Sequence, residues 1–219
     1  MQAKRYTLIY VLLMTLVVVA SNILVQFPVQ GMLGAINLAD ILTYGAFTYP
    51  FAFLVNDLTN RQYGPTQARI VVLCGFVTGV LFSALGGLVS ASLQGSAQIA
   101  FASGLAFLLG QLLDISVFNR LRRQSWWHAP LAGSMLGSIV DTVIFFSLAF
   151  APVFAIFAGV NGFANESAPI LGVFAISAPR WISWALGDLS VKVLFALFLL
   201  MPYGALMSVL KPMPQLQKA

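Results

Sequence analysis

Apolar runs of about 20 residues recur along the chain, and no other feature limits its fold so tightly. At a helical rise of about 1.5 Å per residue, such a run spans the ~30 Å hydrocarbon core of a bilayer. Within lipid every backbone N–H and C=O has to find a partner inside the protein, so spans of this length are helices. Six are read, at about 6–27, 41–60, 69–90, 97–118, 130–151 and 181–210. They predict an all-α integral membrane protein, a six-helix bundle that makes a single membrane domain of residues 1–219. The composition agrees: 60% of residues are hydrophobic and 8% charged, against about 25% charged in soluble chains. The connections are too short for an ATPase or other folded catalytic module, and no internal repeat suggests an inverted-repeat transporter.

The few charges are sorted by position. Lys4, Arg5, Arg61, Arg69, Arg120, Arg122, Arg123, Lys211 and Lys218 fall at ends that a six-span count puts on one side, and only Arg180 falls on the other. Because basic residues accumulate in cytoplasmic loops, both termini are expected in the cytoplasm. Trp126 and Trp127, and Trp181 and Trp184, fit aromatic belts at the two interfaces. A cleaved leader could also begin with Lys4 and Arg5, but losing the first span would spoil the sorting. The net charge of +5 thus records topology, and no nucleic-acid partner is expected. With one cysteine, Cys74, and one histidine, His128, neither an internal disulfide nor a Cys/His metal centre can form, and no cofactor is expected. Residues 152–180 lie on the outer side yet stay apolar, as expected of a segment lying on the membrane or partly re-entering it.

An ionisable group inside a span costs at least ~2.5 kcal/mol and usually faces the bundle interior or an aqueous cavity. In "ALGDLSVKVLF" (185–195), Asp188 lies about 10 Å and Lys192 about 16 Å from the outer start of the last span. Trp184, Asp188 and Lys192 form one stripe, and two readings fit: an i,i+4 pair that locks packing, or a charge pair lining a substrate cavity. Asp141, about 16 Å from Pro130, reaches the level of Lys192. It shares a face with Ser134 and Ser138, while Gly133 and Gly137 offer a neighbouring close-packing face. Asn22 and Gln26, one turn apart, could read a planar polar ligand or bridge helices. Ser103, Phe107, Gln111, Asp114 and Phe118 share a face of the fourth span, with Gln111 and Asp114 nearer the cytoplasm. On the second span Tyr49, Phe53 and Asn56 share a face beside Asp57, and Pro50 can break the helix. Asp57 and Arg61 make an i,i+4 pair suited to a clasp or inner gate, with Asp114 grouped with them. The substrate-binding candidates are therefore Asp141, Asp188, Lys192, Asn22, Gln26, Gln111 and Trp184. An intramembrane enzyme is disfavoured, because no histidine base lies inside a span.

Five stretches, "SNILVQFPV" (21–29), "TYPFAFLVNDLTNRQYG" (48–64), "LGQLLDISVFNRLR" (109–122), "WWHAPLAGSMLGSIVDT" (126–142) and "GDLSVKVLFALFLLMPYG" (187–204), together resemble the bacterial queuosine-precursor transporters, a vitamin-uptake-like family. They run in family order over nearly the whole chain. Asn56 stands where that family usually has threonine before Asp57, and Ser138 where asparagine is common before Asp141. The resemblance implies a six-helix protein of the bacterial inner membrane that imports 7-cyano-7-deazaguanine and 7-aminomethyl-7-deazaguanine for making queuosine in tRNA. It also implies similarity to the membrane-embedded substrate-binding subunits of energy-coupling-factor vitamin transporters. It leaves open whether the chain works alone, as a homo-oligomer or with a coupling module.

Overall fold

The computed structural model describes residues 2–89, 96–157 and 161–210. Lys211 and Lys218, two of the charges used in the sorting argument, lie outside the described residues, as do Ser90 at the end of the predicted third span and residues 158–160 of the outer segment. The protein is a helical multi-pass membrane protein. Five helical segments are long and apolar enough to cross a bilayer: Thr7–Leu24, Pro65–Ser83, Ala97–Leu121, His128–Phe150 and Arg180–Val209. They belong to α1 (Gln2–Leu24), α4 (Pro65–Val89), α5 (Ser96–Leu121), α6 (His128–Phe150) and the α8–α9 pair (Arg180–Phe198 and Leu200–Val209). Leu8, Leu12 and Leu16 on α1 and Leu194, Phe198 and Met201 on α8 and α9 point outward, as a lipid-facing surface requires. Pro202 cannot donate to the carbonyl of Phe198, and the helix steps at Leu199.

The second predicted span departs most from expectation. Residues 41–60 do not form one helix; they hold a four-residue helix, α2 (Gly45–Thr48), and α3 (Pro50–Tyr63). Pro50 has no N–H to continue the first turn, so Tyr49 sits at the joint and its carbonyl takes the Ala52 N–H. At 14 residues α3 is too short to cross a bilayer by itself, and it also carries the polar Asn56, Asp57, Asn60 and Arg61. Nine of its residues are nevertheless buried, from Pro50 to Asn60. It is sheltered by protein rather than lipid, with Ala52 and Val55 packed in the core among Met14 of α1, Val71 and Val72 of α4 and Phe118 of α5.

Small residues let α5 and α6 approach closely. A Cβ on Gly110 would stand 2.9 Å from the Gly137 carbonyl oxygen, and one on Gly137 would stand 2.8 Å from that of Gly110. The chain is not purely helical. β1 (Met32–Leu33) pairs with β2 (Ile36–Asn37) in the α1–α2 connection, turning at Gly34, whose φ is 60°. After α7 (Gly162–Asn165), β3 (Ser167–Pro169) pairs with β4 (Ser177–Pro179). The described part of residues 152–180 is thus a set of short turns and a hairpin, tied at its base by an Arg180–Glu166 ion pair at 3.1 Å.

Candidate substrate site

α6 and α8 cross so that Asp141 and Thr142 face Asp188 and Lys192. The Lys192 Nζ lies 2.6 Å from Asp141 Oδ2 and 2.5 Å from Asp188 Oδ2. It also donates to Thr142 Oγ1 at 3.2 Å, and Thr142 in turn donates to Asp188 Oδ2 at 2.9 Å. The Tyr49 hydroxyl, carried to this level by the α2–α3 joint, donates to Asp141 Oδ1 at 2.7 Å. Its ring centroid lies 4.9 Å from the ammonium. Lys192 therefore bridges two acids rather than one, and by formal charge the cluster keeps one excess negative charge. Lys192 and Asp141 are 4% and 5% exposed, whereas Asp188 is 18% exposed. Of the three charged groups, Asp188 is the one most open to a ligand.

The cluster forms one wall of a cavity of about 540 Å³, a size that encloses a small organic molecule. Phe107 of α5, Phe146 and Phe150 of α6 and Trp184 of α8 supply aromatic walls, and Asn22 and Ser21 of α1 the polar far side. Trp184 packs edge-on against Phe150, with centroids 5.3 Å apart, and its Nε1 donates to the Asp40 carbonyl at 2.8 Å. That bond ties α8 to the 3-10 turn, Leu38–Asp40, that follows the β1–β2 hairpin.

The sequence candidates divide. Asp141, Asp188, Lys192, Trp184 and Asn22 line this cavity. The Asn22 amide donates to Val18 on its own helix at 2.9 Å. Gln26 lies beyond the end of α1, exposed and outside the cavity lining. Gln111 is fully buried and outside the cavity lining, and its backbone carbonyl accepts from Asn56 Nδ2 of α3. The Asp57–Arg61 pair is absent from the described ion pairs; Asp57 Oδ2 accepts instead from Ser134 Oγ at 3.3 Å. The burial of Asp57 against α6 draws its side chain away from its helical neighbour. Asp114 accepts from Asn56 Nδ2 at 2.7 Å. Tyr49 and Thr142 are not among the substrate-binding candidates read from sequence, although the adjacency of Thr142 to Asp141 is a usable sign.

A family model described as "Putative vitamin uptake transporter" matches residues 43–207. The chain belongs to this family. The match takes in α2 through most of α9, hence every charged residue of the cluster, and the family is one of transporters rather than enzymes. Among curated relatives, the "Queuosine precursor transporter" of Escherichia coli (strain K12) is 34% identical over 227 residues, covering 95% of this chain and 90% of the relative. The "Probable queuosine precursor transporter" of Haemophilus influenzae (strain ATCC 51907 / DSM 11121 / KW20 / Rd) is 37% identical over 175 residues, covering 68% and 72%. A relative of that same name from Bacillus subtilis (strain 168) is 29% identical over 132 residues, covering 51% and 58%. No solved structure matches the chain.

Proposed function

We propose that this family member imports the queuosine precursors 7-cyano-7-deazaguanine and 7-aminomethyl-7-deazaguanine across a bacterial inner membrane. The names of its relatives support the substrate class, and the observation that carries the reading is a partly exposed carboxylate, Asp188, beside a buried ammonium in an aromatic-walled cavity. A 7-deazaguanine is flat and presents two adjacent N–H donors on its guanine edge and a carbonyl beside them. Asp188 accepts the donor pair, and Lys192 donates to the carbonyl. Phe107, Phe146 and Trp184 offer faces and edges for the ring. Asp141, Tyr49 and Thr142 hold the ammonium in place. The excess negative charge of the cluster favours the cationic aminomethyl form as well.

The same reading takes α2 and α3 together as a sixth span, 19 residues from Gly45 to Tyr63, in one membrane domain over the whole chain. Both termini then face the cytoplasm and the cavity mouth near Arg180 and Trp184 faces outward. The bundle would share the plan of the substrate-binding subunits of energy-coupling-factor transporters. Cells unable to make or take up the precursors, given this gene alone, test the function. They are expected to accumulate labelled 7-cyano-7-deazaguanine and to regain queuosine in tRNA; failure to accumulate the label contradicts the proposal.

A further inference from the structure

On the far side of Lys192 from Trp184 lies a second buried polar group with no part in the site above. It consists of Asp57 (2% exposed), Asn56, Gln111 and Asp114 (each 0%) and Tyr203 (1%). The two carboxyl groups lie against neighbouring positions of α6: a Cβ on Gly133 would collide with Asp114 Oδ1, and the next residue, Ser134, donates to Asp57 Oδ2. Their described partners are neutral: Asn56 donates to Asp114, and Ser134 to Asp57. Neither acid is ion-paired among the described residues. Around them, Arg61 stands one turn along α3, Tyr203 comes from α9, Lys192 from α8, and Arg122 approaches Tyr203 from beyond α5. α1 approaches α3 through Tyr10, which donates to Gln62, and α4 through the apolar Ala68, Val71 and Val72.

Two further observations indicate that something binds there. Tyr203 borders a crevice that Asp57, Ser134 and Lys192 also line, with space of about 20 Å³, room for a single water. The side-chain amide of Gln111 is wholly unpartnered, as are Asp57 Oδ1 and Asp114 Oδ1. Buried polar atoms are rarely left so. Two bare carboxylates facing each other without a cation are strongly disfavoured, and one shared proton removes the conflict.

We propose that Asp57 and Asp114 form a proton site that couples uptake to the proton gradient, with Lys192 as the link to the substrate cavity. This inference rests on the transport reading. In the empty protein the pair holds one proton between its carboxyl oxygens. When substrate donors occupy Asp188, Lys192 loses part of one of its two carboxylate contacts. Its ammonium borders both chambers and turns toward Asp57. The positive charge replaces the proton, which leaves by way of the Tyr203 and Arg61 end. Once substrate has left and Lys192 has swung back to Asp188, the acid pair is recharged with a proton from the cavity side, so one proton crosses inward per substrate carried.

The test uses the full chain in proteoliposomes with labelled 7-cyano-7-deazaguanine, which is uncharged, and the membrane potential clamped at zero. For one proton per substrate, an inward gradient of one pH unit is expected to drive accumulation toward about tenfold. A sodium gradient is expected to drive none. Asp57→Asn and Asp114→Asn are each expected to bind the base in detergent as the parent does, yet only to equilibrate it. Gradient-insensitive uptake by a parent protein that binds the base overturns the coupling alone, as does sodium-driven accumulation or parental accumulation by both variants. If the variants do not fold, the parental arm decides by itself. A parent that does not bind the base overturns the transport reading and this inference with it.

Discussion

Lys192 is the residue on which the cavity cluster turns, because it bridges two acids on two helices. Removing it strands both in a buried setting, and breaking a buried pair in this way costs about 3–5 kcal/mol. Lys192→Met is therefore expected to lower the melting temperature in detergent sharply. For a simple i,i+4 pair, removing both partners would restore most of the loss. Here Asp188→Asn combined with Lys192→Met still leaves Asp141 without its cation, so the double variant is expected to melt below the parent. Asp188→Asn alone behaves differently. The Lys192 to Asp141 contact survives, the carbonyl of the introduced amide can still accept from Thr142, and melting is expected to stay near the parental value. Comparing the three melting curves separates the three-membered cluster from a two-membered clasp.

At the scale of elements, the α5–α6 contact depends on the bare backbones of Gly110 and Gly137. A Cβ at position 137 would meet Phe53 Cε1 at 2.7 Å and the Gly110 oxygen at 2.8 Å. Alanine normally stabilises a helix interior by about 1 kcal/mol relative to glycine. The reverse is expected for Gly137→Ala, with lower yield and melting temperature, whereas Gly162→Ala, which meets nothing within 4 Å, is expected to be silent. The same helices show what sequence can reveal. α1, α4, α5, α6 and α8 are legible because their surfaces meet lipid and hydropathy reports that directly. α3 is only half legible: it is shielded by its neighbours, so it carries polar residues that weaken the signal, and Pro50 cuts it from α2. The two hairpins escape notice because strands of two or three residues leave no periodicity to read. Counting turns sets Asp141 level with Lys192, but the rotation of one helix against another decides which side chains meet. That is why sequence does not single out Thr142 and Tyr49, and why Gln111 lies outside the cavity lining. Gln26 lies off the cavity lining for a simpler reason: α1 ends at Leu24, so its helical spacing from Asn22 no longer holds.

The molecule as a whole combines an aromatic-walled cavity, a charged cluster on one of its walls and a second acid pair on the far side of Lys192. Its orientation can be checked with single cysteines in a variant lacking Cys74. Replacements at Arg61 and Arg122 are expected to react with a membrane-impermeant thiol reagent only from the cytoplasm, and one at Glu166 only from outside; labelling of position 122 from outside contradicts the six-span arrangement. The central claim is that the guanine edge of the substrate is read by Asp188, and binding to the purified protein tests it most directly. The Asp188→Asn change keeps the shape but offers one acceptor and one donor where the substrate needs two acceptors. An unpaired buried donor costs about 1–3 kcal/mol, and about 1.4 kcal/mol is tenfold in affinity. Calorimetric titration with 7-cyano-7-deazaguanine should therefore show Asp188→Asn binding roughly tenfold or more weakly than the parent at an unchanged melting temperature. Equal affinity in the two proteins would contradict the account.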